Sequence, residues 1–335
     1  MNLQEHSFFI TGATGFVGSM LAKELCSRGL EVHILRREKS SNPILDELPV
    51  HHHIGDILDK NAVKKAMANA TAVFHCAGIV SFWKKMRKKQ YDVNAEGTEV
   101  VSSTAMELGI QRFVHTSSVA AIGPAENGNI VTEDTPFRWD RYDIGYNISK
   151  HEAEMRIEEK VKNRLNAVIV NPSTIVGPGD VNMHGSAIIS NVLEARLPFY
   201  VETPMNIVDI DDVVQGHILA FEKGKPGERY ILSGHSLPLG ELLLRIEQIA
   251  GGKAPRRKVP YIFAQATAVS IELLANIFNK KPKLTGELLR VGKYRQEFSC
   301  AKAENVLGYT RTPLDETIRK TAEWLKETTH FTKKH

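Results

Sequence analysis

The stretch YDIGYNISKHEAEMRIEEK (142–160) sets Tyr146 and Lys150 four residues apart at the start of a helical pattern. On a helix that spacing puts both side chains on one face, one turn apart. A phenol with an unperturbed pKa of about 10 is shifted toward phenolate by a neighbouring ammonium. It could then exchange a proton with a carbonyl or hydroxyl near neutral pH. The pair alone is a weak motif, because a lysine follows many tyrosines at that distance by accident. Its meaning depends on what the rest of the chain places around it.

The elements that must position the pair are legible as alternation. Short β-rich runs (HSFFITG, EVHILRR, HHHIGDI, AVFHCAG, RFVHTSS, NAVIVNPSTIVG) are separated by helical patterns (SMLAKELCSRG, DKNAVKKAMANA, NAEGTEVVSSTAMELG and the Tyr146 helix). Strands alternating with helices predict βαβ units and a parallel sheet, and near-continuous apolar strands predict a sheet covered on both faces. The expected fold class is α/β, a Rossmann doubly wound parallel sheet with a smaller, mainly helical C-terminal substrate domain. After residue 172 Pro and Gly become frequent and helical segments dominate 238–278 and 313–326. The expected division is 1–171 plus about 205–232 for dinucleotide binding, and 172–204 plus 233–330 for substrate.

TGATGFVG (11–18) follows the first strand and opens the first helix. There Gly12 permits a tight turn, Gly15 lets the backbone approach a pyrophosphate, and Gly18 lets helix and strand pack closely. The helix N-terminus offers free N–H groups to the phosphates, so Thr11, Thr14, Phe16 and Val17 join the three glycines as cofactor-binding candidates. The second strand ends in Arg36 and Arg37, where an NAD site usually carries an acid. A guanidinium suits a 2′-phosphate by charge and forked donors, which predicts NADP, with NAD possible. Asp56 and Ile57 of GDILD close the third strand, with Asp56 placed to accept from the adenine amino group. Cys76, Ala77 and Gly78 of HCAG end the fourth, where small residues let the backbone lie against the cofactor. Ser117 and Ser118 end the fifth. All lie at strand carboxyl ends, where open α/β sheets bind ligands.

The order and spacing of TGATGFVG, GDILD, HCAG, YDVNAEGT, TSSVAAIG, YNISK, NPSTIVGPG, VDIDDVVQGH and GERYILSG, over nearly the whole chain, resemble the extended short-chain dehydrogenase/reductase family, also called the NAD-dependent epimerase/dehydratase family. Within it the likeness is to dihydroflavonol reductase-like members, through ILRRE and LPFYVETPMNIVDIDDVVQGH. The resemblance implies a catalytic set of Ser118, Tyr146 and Lys150, with Ser118 preferred over Ser117 as the third position of TSS. It implies that Lys150 also holds the nicotinamide ribose and that Asn94 is a structural or proton-relay residue. Asn171, Pro172 and Ser173 would line the nicotinamide. The threonine and acid pair of the family's sugar dehydratases is missing from TSSV, which disfavours dehydration.

The expected function is NADP-dependent reduction of a ketone or aldehyde. Tyr146 would protonate the carbonyl oxygen, Ser118 would polarise it, and hydride would come from the nicotinamide. A nucleotide-sugar epimerase or dehydrogenase is the alternative, and a non-catalytic dinucleotide-binding protein a further one. Phe82, Trp83, Tyr142, Phe199 and Tyr200 are the candidate substrate residues, favouring an apolar or aromatic small molecule. Net charge is +4 over 335 residues, which gives no reason to expect nucleic acid as a partner. The run KKMRKKQ (84–90) reads as a solvated helix face. Cys26, Cys76 and Cys300 form no C-x-x-C pair, the N-terminus shows no signal-peptide pattern, and a cytoplasmic location is expected. YIFAQATAVSIELLANIF (261–278) is short for a membrane span and reads as a packed helix, with surface membrane contact the lesser reading because of its basic flanks. No stable membrane insertion is expected. The His51–His53 run has no acid or cysteine at ligand spacing, so no metal is expected. A homodimer through the helices near 94–109 and 145–162 would follow the family's habit.

Overall fold

The computed structural model describes residues 1–124, 129–278, 280–282, 284–294 and 297–332. Among these residues ten strands form: β1 (Phe8–Thr11), β2 (Val32–Arg36), β3 (His51–Ile54), β4 (Ala72–His75), β5 (Arg112–Thr116), β6 (Ala167–Pro172), β7 (Thr174–Val176), β8 (Pro204–Asp209), β9 (Arg229–Leu232) and β10 (His235–Pro238). Seven lie in one parallel sheet in the order β3-β2-β1-β4-β5-β6-β9. This is the Rossmann order with one strand added. The chain reverses its direction of travel across the sheet between β1 and β4, and the crevice at their carboxyl ends is where such folds bind dinucleotides.

Period-two alternation explains the two covered faces. From β1, Phe8 and Ile10 enter a core with Phe74 of β4, Leu21 and Leu25 of the Phe16–Ser27 helix, and Phe221 of the Ile210–Lys223 helix. Phe9 enters the opposite core with Val73, Phe113, Val101 and Ile157, the last two from the Gly97–Glu107 and Gly145–Lys162 helices. The helix carrying Tyr146 packs on the sheet through Ile157 and Ala153, while Asn147, Ser149, Lys150 and Glu154 are buried on it toward the rim.

The second sheet has order β10-β8-β7, with β8 antiparallel to β10 and parallel to β7. Of the stretch expected with the larger unit, residues 205–232, the Ile210–Lys223 helix and β9 lie on the seven-stranded sheet, whereas β8 joins the smaller one. The Leu239–Ala250 and Leu314–Thr332 helices close a third core through Leu242, Leu243, Ile246, Leu314 and Ile318.

Two sequence expectations are corrected here. The basic run 84–90 is not uniformly solvated. Lys84, Lys85, Lys88 and Lys89 are exposed, but Arg87 turns inward. Its Nε and Nη2 donate to Glu287 Oε1 at 2.9 and 2.6 Å, and its Nη1 to Asp143 Oδ1 at 2.8 Å. The Glu287 side chain is 1 % exposed, and a carboxylate that deep requires a paired cation. Its other oxygen accepts from the Gly145 N–H at 3.2 Å, which caps the start of the Tyr146 helix. The Tyr261–Ile277 helix is not packed by its large apolar residues either. It buries Ala264, Ala268 and Ala275 and turns the bulky side chains outward. No helix among the described residues is long and apolar enough to cross a membrane.

Breaking a buried ion pair from one side leaves an uncompensated charge. Arg87→Met is expected to lower unfolding stability by about 3 kcal/mol, and adding Glu287→Gln to recover part of that loss. Urea unfolding of both variants checks this; a single variant as stable as the parent refutes the assigned role.

Candidate active site

The first loop is shaped by contacts with the protein as much as by any ligand. Gly12 has φ +69° and sits so close to β4's extension that a Cβ there would lie 2.5 Å from the Ala77 nitrogen. A Cβ on Gly18 would lie 2.4 Å from the Gly12 oxygen, so helix and loop can pack this tightly only with glycine. At Gly15 a Cβ meets nothing but the loop's own Gly12 oxygen, at 3.2 Å. No side chain caps the Phe16–Ser27 helix, and its first amides, those of Phe16, Val17 and Gly18, are left for an anion. The loop therefore fits a pyrophosphate.

Behind the loop runs a hydrogen-bond chain that the sequence did not disclose. The Ala77 N–H reaches Thr11 Oγ1 at 3.3 Å, Thr11 Oγ1 meets His75 Nδ1 at 2.6 Å, and His75 Nε2 meets Thr98 Oγ1 at 2.9 Å. Thr98 Oγ1 in turn donates to the Asn94 carbonyl at 2.6 Å. That last bond commits the Thr98 proton, so His75 must donate from Nε2 and accept at Nδ1 from Thr11. Burial holds the His75 pKa down at about 3, keeping the ring neutral for this double role. Thr14 contributes its carbonyl, which accepts from Asn42 Nδ2 at 3.3 Å.

The two arginines after β2 separate in role. Arg36 donates to the carbonyls of Glu38 and Ser40 at 3.3 and 3.2 Å and to His52 Nδ1 at 3.2 Å, so it organises its own loop. Arg37 is exposed; its carbonyl accepts from the Ser40 N–H at 2.9 Å, and its guanidinium makes no hydrogen bond or ion pair among the described residues. Asp56 accepts from the Leu58 N–H at 3.0 Å, and Ile57 packs against Gly97. The expectation that His51–His53 lacks an acidic neighbour is corrected by strand pairing. Register places His33 opposite His51, and Glu31 Oε1 lies 3.2 Å from His33 Nε2 and 3.5 Å from His51 Nε2.

At the rim, Ser118, Tyr146 and Lys150 converge. Tyr146 is buried, with its pKa raised by burial and opposed by a hydrogen bond from Ser118. This reverses the expected lowering by Lys150: loss of solvent around the phenol is the larger cause, and what opposes it is the Ser118 hydrogen bond rather than the Lys150 charge. Ser117 is buried with its hydroxyl unpaired, while Ser118 is partly open. Lys150 Nζ donates to the Thr116 carbonyl at 2.8 Å. Burial depresses its pKa to about 8, with the Glu154 carboxylate, one turn along the helix, pulling the other way. Gly78 lies beside both polar groups: a Cβ there would stand 3.4 Å from Asn94 Oδ1 and 3.5 Å from Lys150 Nζ, in ordinary contact. Cys76 also lies here, its thiol pushed up to about 11 by burial.

Asn94 sits in a π-helical turn, Asp92–Glu96, a local bulge often found at functional sites. Its Oδ1 accepts from the Ile79 N–H at 2.7 Å, and its Nδ2 donates to the Ile79 carbonyl at 3.1 Å and to Ser149 Oγ at 2.9 Å. It thus ties the loop after β4 to the Tyr146 helix. Asn171 is fully buried and donates to the Ser118 carbonyl at 2.9 Å and to Glu154 Oε1 at 2.6 Å. Its amide braces Ser118 rather than facing the crevice, with Pro172 and Ser173 following it along the chain. Ser149, inside YNISK, and Glu154, beyond it, are neighbours of these residues that the motifs did not single out.

The five candidate substrate aromatics are not brought together. Phe82 meets the Tyr146 ring edge-on at 5.6 Å. Trp83 donates from Nε1 to Asn276 Oδ1 at 2.9 Å. The Tyr142 ring lies tilted against that of Tyr294, centroids 4.7 Å apart. The Tyr200 ring packs over Gly240, and Phe199 is exposed.

Comparison with known proteins agrees with this geometry. Residues 8–233 match the NAD dependent epimerase/dehydratase family. A protein of Synechocystis sp. carrying the provisional name dihydroflavonol 4-reductase is 32 % identical over 324 residues, covering 95 % of this chain and 94 % of its own. Sterol demethylase protein B of Methylococcus capsulatus is 30 % identical, covering 95 % of this chain and 98 % of its own. Among solved structures, that of gox2253 superposes with a TM-score of 0.84 at 35 % identity, covering 96 % of this chain and 98 % of the other. The chain belongs to the NAD dependent epimerase/dehydratase family and is an oxidoreductase of the extended short-chain dehydrogenase/reductase type.

The depressed Lys150 pKa carries a stability consequence. Below about pH 8 the folded protein holds a buried ammonium at a cost. Between that value and the unfolded pKa the folded amine is neutral while the unfolded one is charged, so stability rises with pH. Relative to Lys150→Met, the cofactor-free parent is expected to gain about 3 kcal/mol between pH 7 and the upper end of this window. Urea midpoints of both proteins across that range check it, and a pH-independent gap refutes it.

Proposed function

We propose that this member of the family is an NADP-preferring reductase of a ketone or aldehyde group on a small apolar or aromatic substrate. The observation that carries the reading is the meeting of Ser118, Tyr146 and Lys150 at the carboxyl rim, beside a glycine loop whose helix amides are uncapped. The nicotinamide cofactor, when bound, supplies hydride. The chain's own residues do the rest. Tyr146, kept protonated by burial, gives its proton to the substrate oxygen. Ser118 hydrogen-bonds the same oxygen and the phenol. Lys150 brings the positive charge that steadies the resulting phenolate. The loop 11–18 would hold the pyrophosphate, Asp56 and Ile57 the adenine, and Cys76–Gly78 with Pro172 and Ser173 the nicotinamide side. Asn94 and Asn171 act as positioning residues through Ile79, Ser149 and Ser118.

Arg37 supports the phosphorylated cofactor because its guanidinium is uncommitted, whereas that of Arg36 is spent on its loop. Phe82 against Tyr146 supports an apolar substrate. Cys26, Cys76 and Cys300 are all free thiols, which suits the reducing cytoplasm as the proposed compartment.

The reading is tested by incubating the protein with NADPH and a panel of aromatic and aliphatic ketones and aldehydes, following loss of the reduced cofactor's near-ultraviolet absorbance. UDP- and GDP-sugars are followed beside them by chromatography. Net NADPH consumption with a carbonyl is expected; sugar interconversion without net consumption and without carbonyl reduction overturns the reading in favour of an epimerase. For the cofactor, Arg37→Ala is expected to weaken NADPH binding by about tenfold to a hundredfold, the worth of one charge-assisted contact, and to leave NADH unchanged. Equal calorimetric losses for both cofactors, or none, would remove Arg37 from 2′-phosphate recognition.

A further inference from the structure

The Tyr261–Ile277 helix is inverted with respect to ordinary packing. It turns small residues, Ala264, Ala268 and Ala275, toward the protein. Ile262, Phe263, Leu273, Leu274, Ile277 and the following Phe278 are each 55–73 % exposed. Bulky apolar residues are normally the first to be buried, and a contiguous exposed set on this scale marks a binding surface. Charge is excluded from the same face. From Val259 to Phe278 the one ionisable acid or base besides Tyr261 is Glu272, and its Oε2 is turned inward to accept from the Gly286 N–H at 3.1 Å.

Basic residues flank this helix at both ends, Arg256 and Lys258 among them also pairing with Glu247 at 2.7 Å and Glu202 at 3.8 Å. Arg256, Arg257 and Lys258 precede it and Lys280 and Lys281 follow, all exposed. Lys293 lies over the Tyr261 ring at 5.9 Å. At the far end Trp83 bonds Asn276, and beside it stand the exposed Lys84 and Lys85. An apolar helix rimmed by cations fits a surface that is apolar inside and anionic at its headgroups. A helix of 17 residues with one inward-facing acid lies in such an interface rather than crossing it.

We propose that this helix seats the protein on anionic lipid membranes, with Ile262, Phe263, Leu273, Leu274, Ile277 and Phe278 entering the acyl boundary and the flanking lysines and arginines contacting acidic headgroups. The Trp83–Asn276 bond links the seat to the loop that carries Phe82, whose ring touches Tyr146. An apolar substrate dissolved in the bilayer would reach the site from that side. The surface stands on its own observations, and vesicle binding is read without turnover, so it and the reductase reading can fail separately.

The test is cosedimentation of the full chain, with NADPH present, with vesicles of phosphatidylcholine alone or with a fraction of phosphatidylglycerol, at low and high salt. Binding to the anionic vesicles is expected to be about tenfold stronger and to weaken with salt. The double variant Phe263→Ser/Ile277→Ser should abolish it while NADPH binding stays unchanged, and Lys280→Ala/Lys281→Ala should reduce the preference for anionic lipid. Absence of the parent from the anionic pellet, or equal binding to both vesicle types, overturns the proposal. A parent dimer that Phe263→Ser/Ile277→Ser converts to monomer also overturns it, assigning the face to a second copy of the chain.

Discussion

One ammonium, Lys150 Nζ, is held almost out of water against the Thr116 carbonyl, and much of the structure around it serves to make that position tenable. Burying a cation costs several kcal/mol unless it is paired or bonded. The compensation comes from separate elements. A buried carboxylate, Glu154, stands one helical turn on and is itself 3.0 Å from Arg229 Nη1. The histidines nearby are kept neutral: burial lowers His75 to about 3 and His217 to about 4, and pushes His115 down as well. A charged imidazole at His75 or His115 would repel Lys150.

The same neutrality fixes the hydrogen-bond directions beneath the rim. His217 Nδ1 bonds the Val213 carbonyl at 2.7 Å and so must donate there. Its Nε2 then accepts from Thr116 Oγ1 at 2.8 Å, leaving Thr116 Oγ1 to accept from the Cys76 thiol at 3.2 Å. Together with the Thr11–His75–Thr98 chain, this fastens the ends of β1, β4 and β5 to the helices on both faces of the sheet. The Tyr146 helix is fastened at its start by Glu287, some 140 residues away in sequence, and along its first turn by Asn94 through Ser149. Rigid placement of acid–base groups is what turns a bound pair of reactants into a reacting one.

What could be read from the sequence was whatever local pattern determines. The glycine loop, HCAG, TSS and the Tyr146–Lys150 pair were placed correctly at strand ends and a helix start, because period-two strands and glycine-marked turns are set by neighbouring residues. What escaped depends on contacts distant in sequence. Arg87 looked like one of a solvated run until Glu287 met it. Glu31 came to His51 through β2–β3 register. The direction of the Tyr146 shift followed from burial, which no motif encodes. The outward face of the Tyr261–Ile277 helix was hidden because an apolar stretch looks the same whether it faces a core or an interface.

In the proposed reaction Tyr146 is the group that gives up its proton to the substrate oxygen. The direct measurement is steady-state turnover of Tyr146→Phe with NADPH and a reducible carbonyl, alongside calorimetric cofactor affinity. A fall in kcat of about 10²–10⁴ is predicted, with NADPH binding and unfolding midpoint retained. A variant that keeps the parent kcat would contradict the account and move the proton donor to another residue.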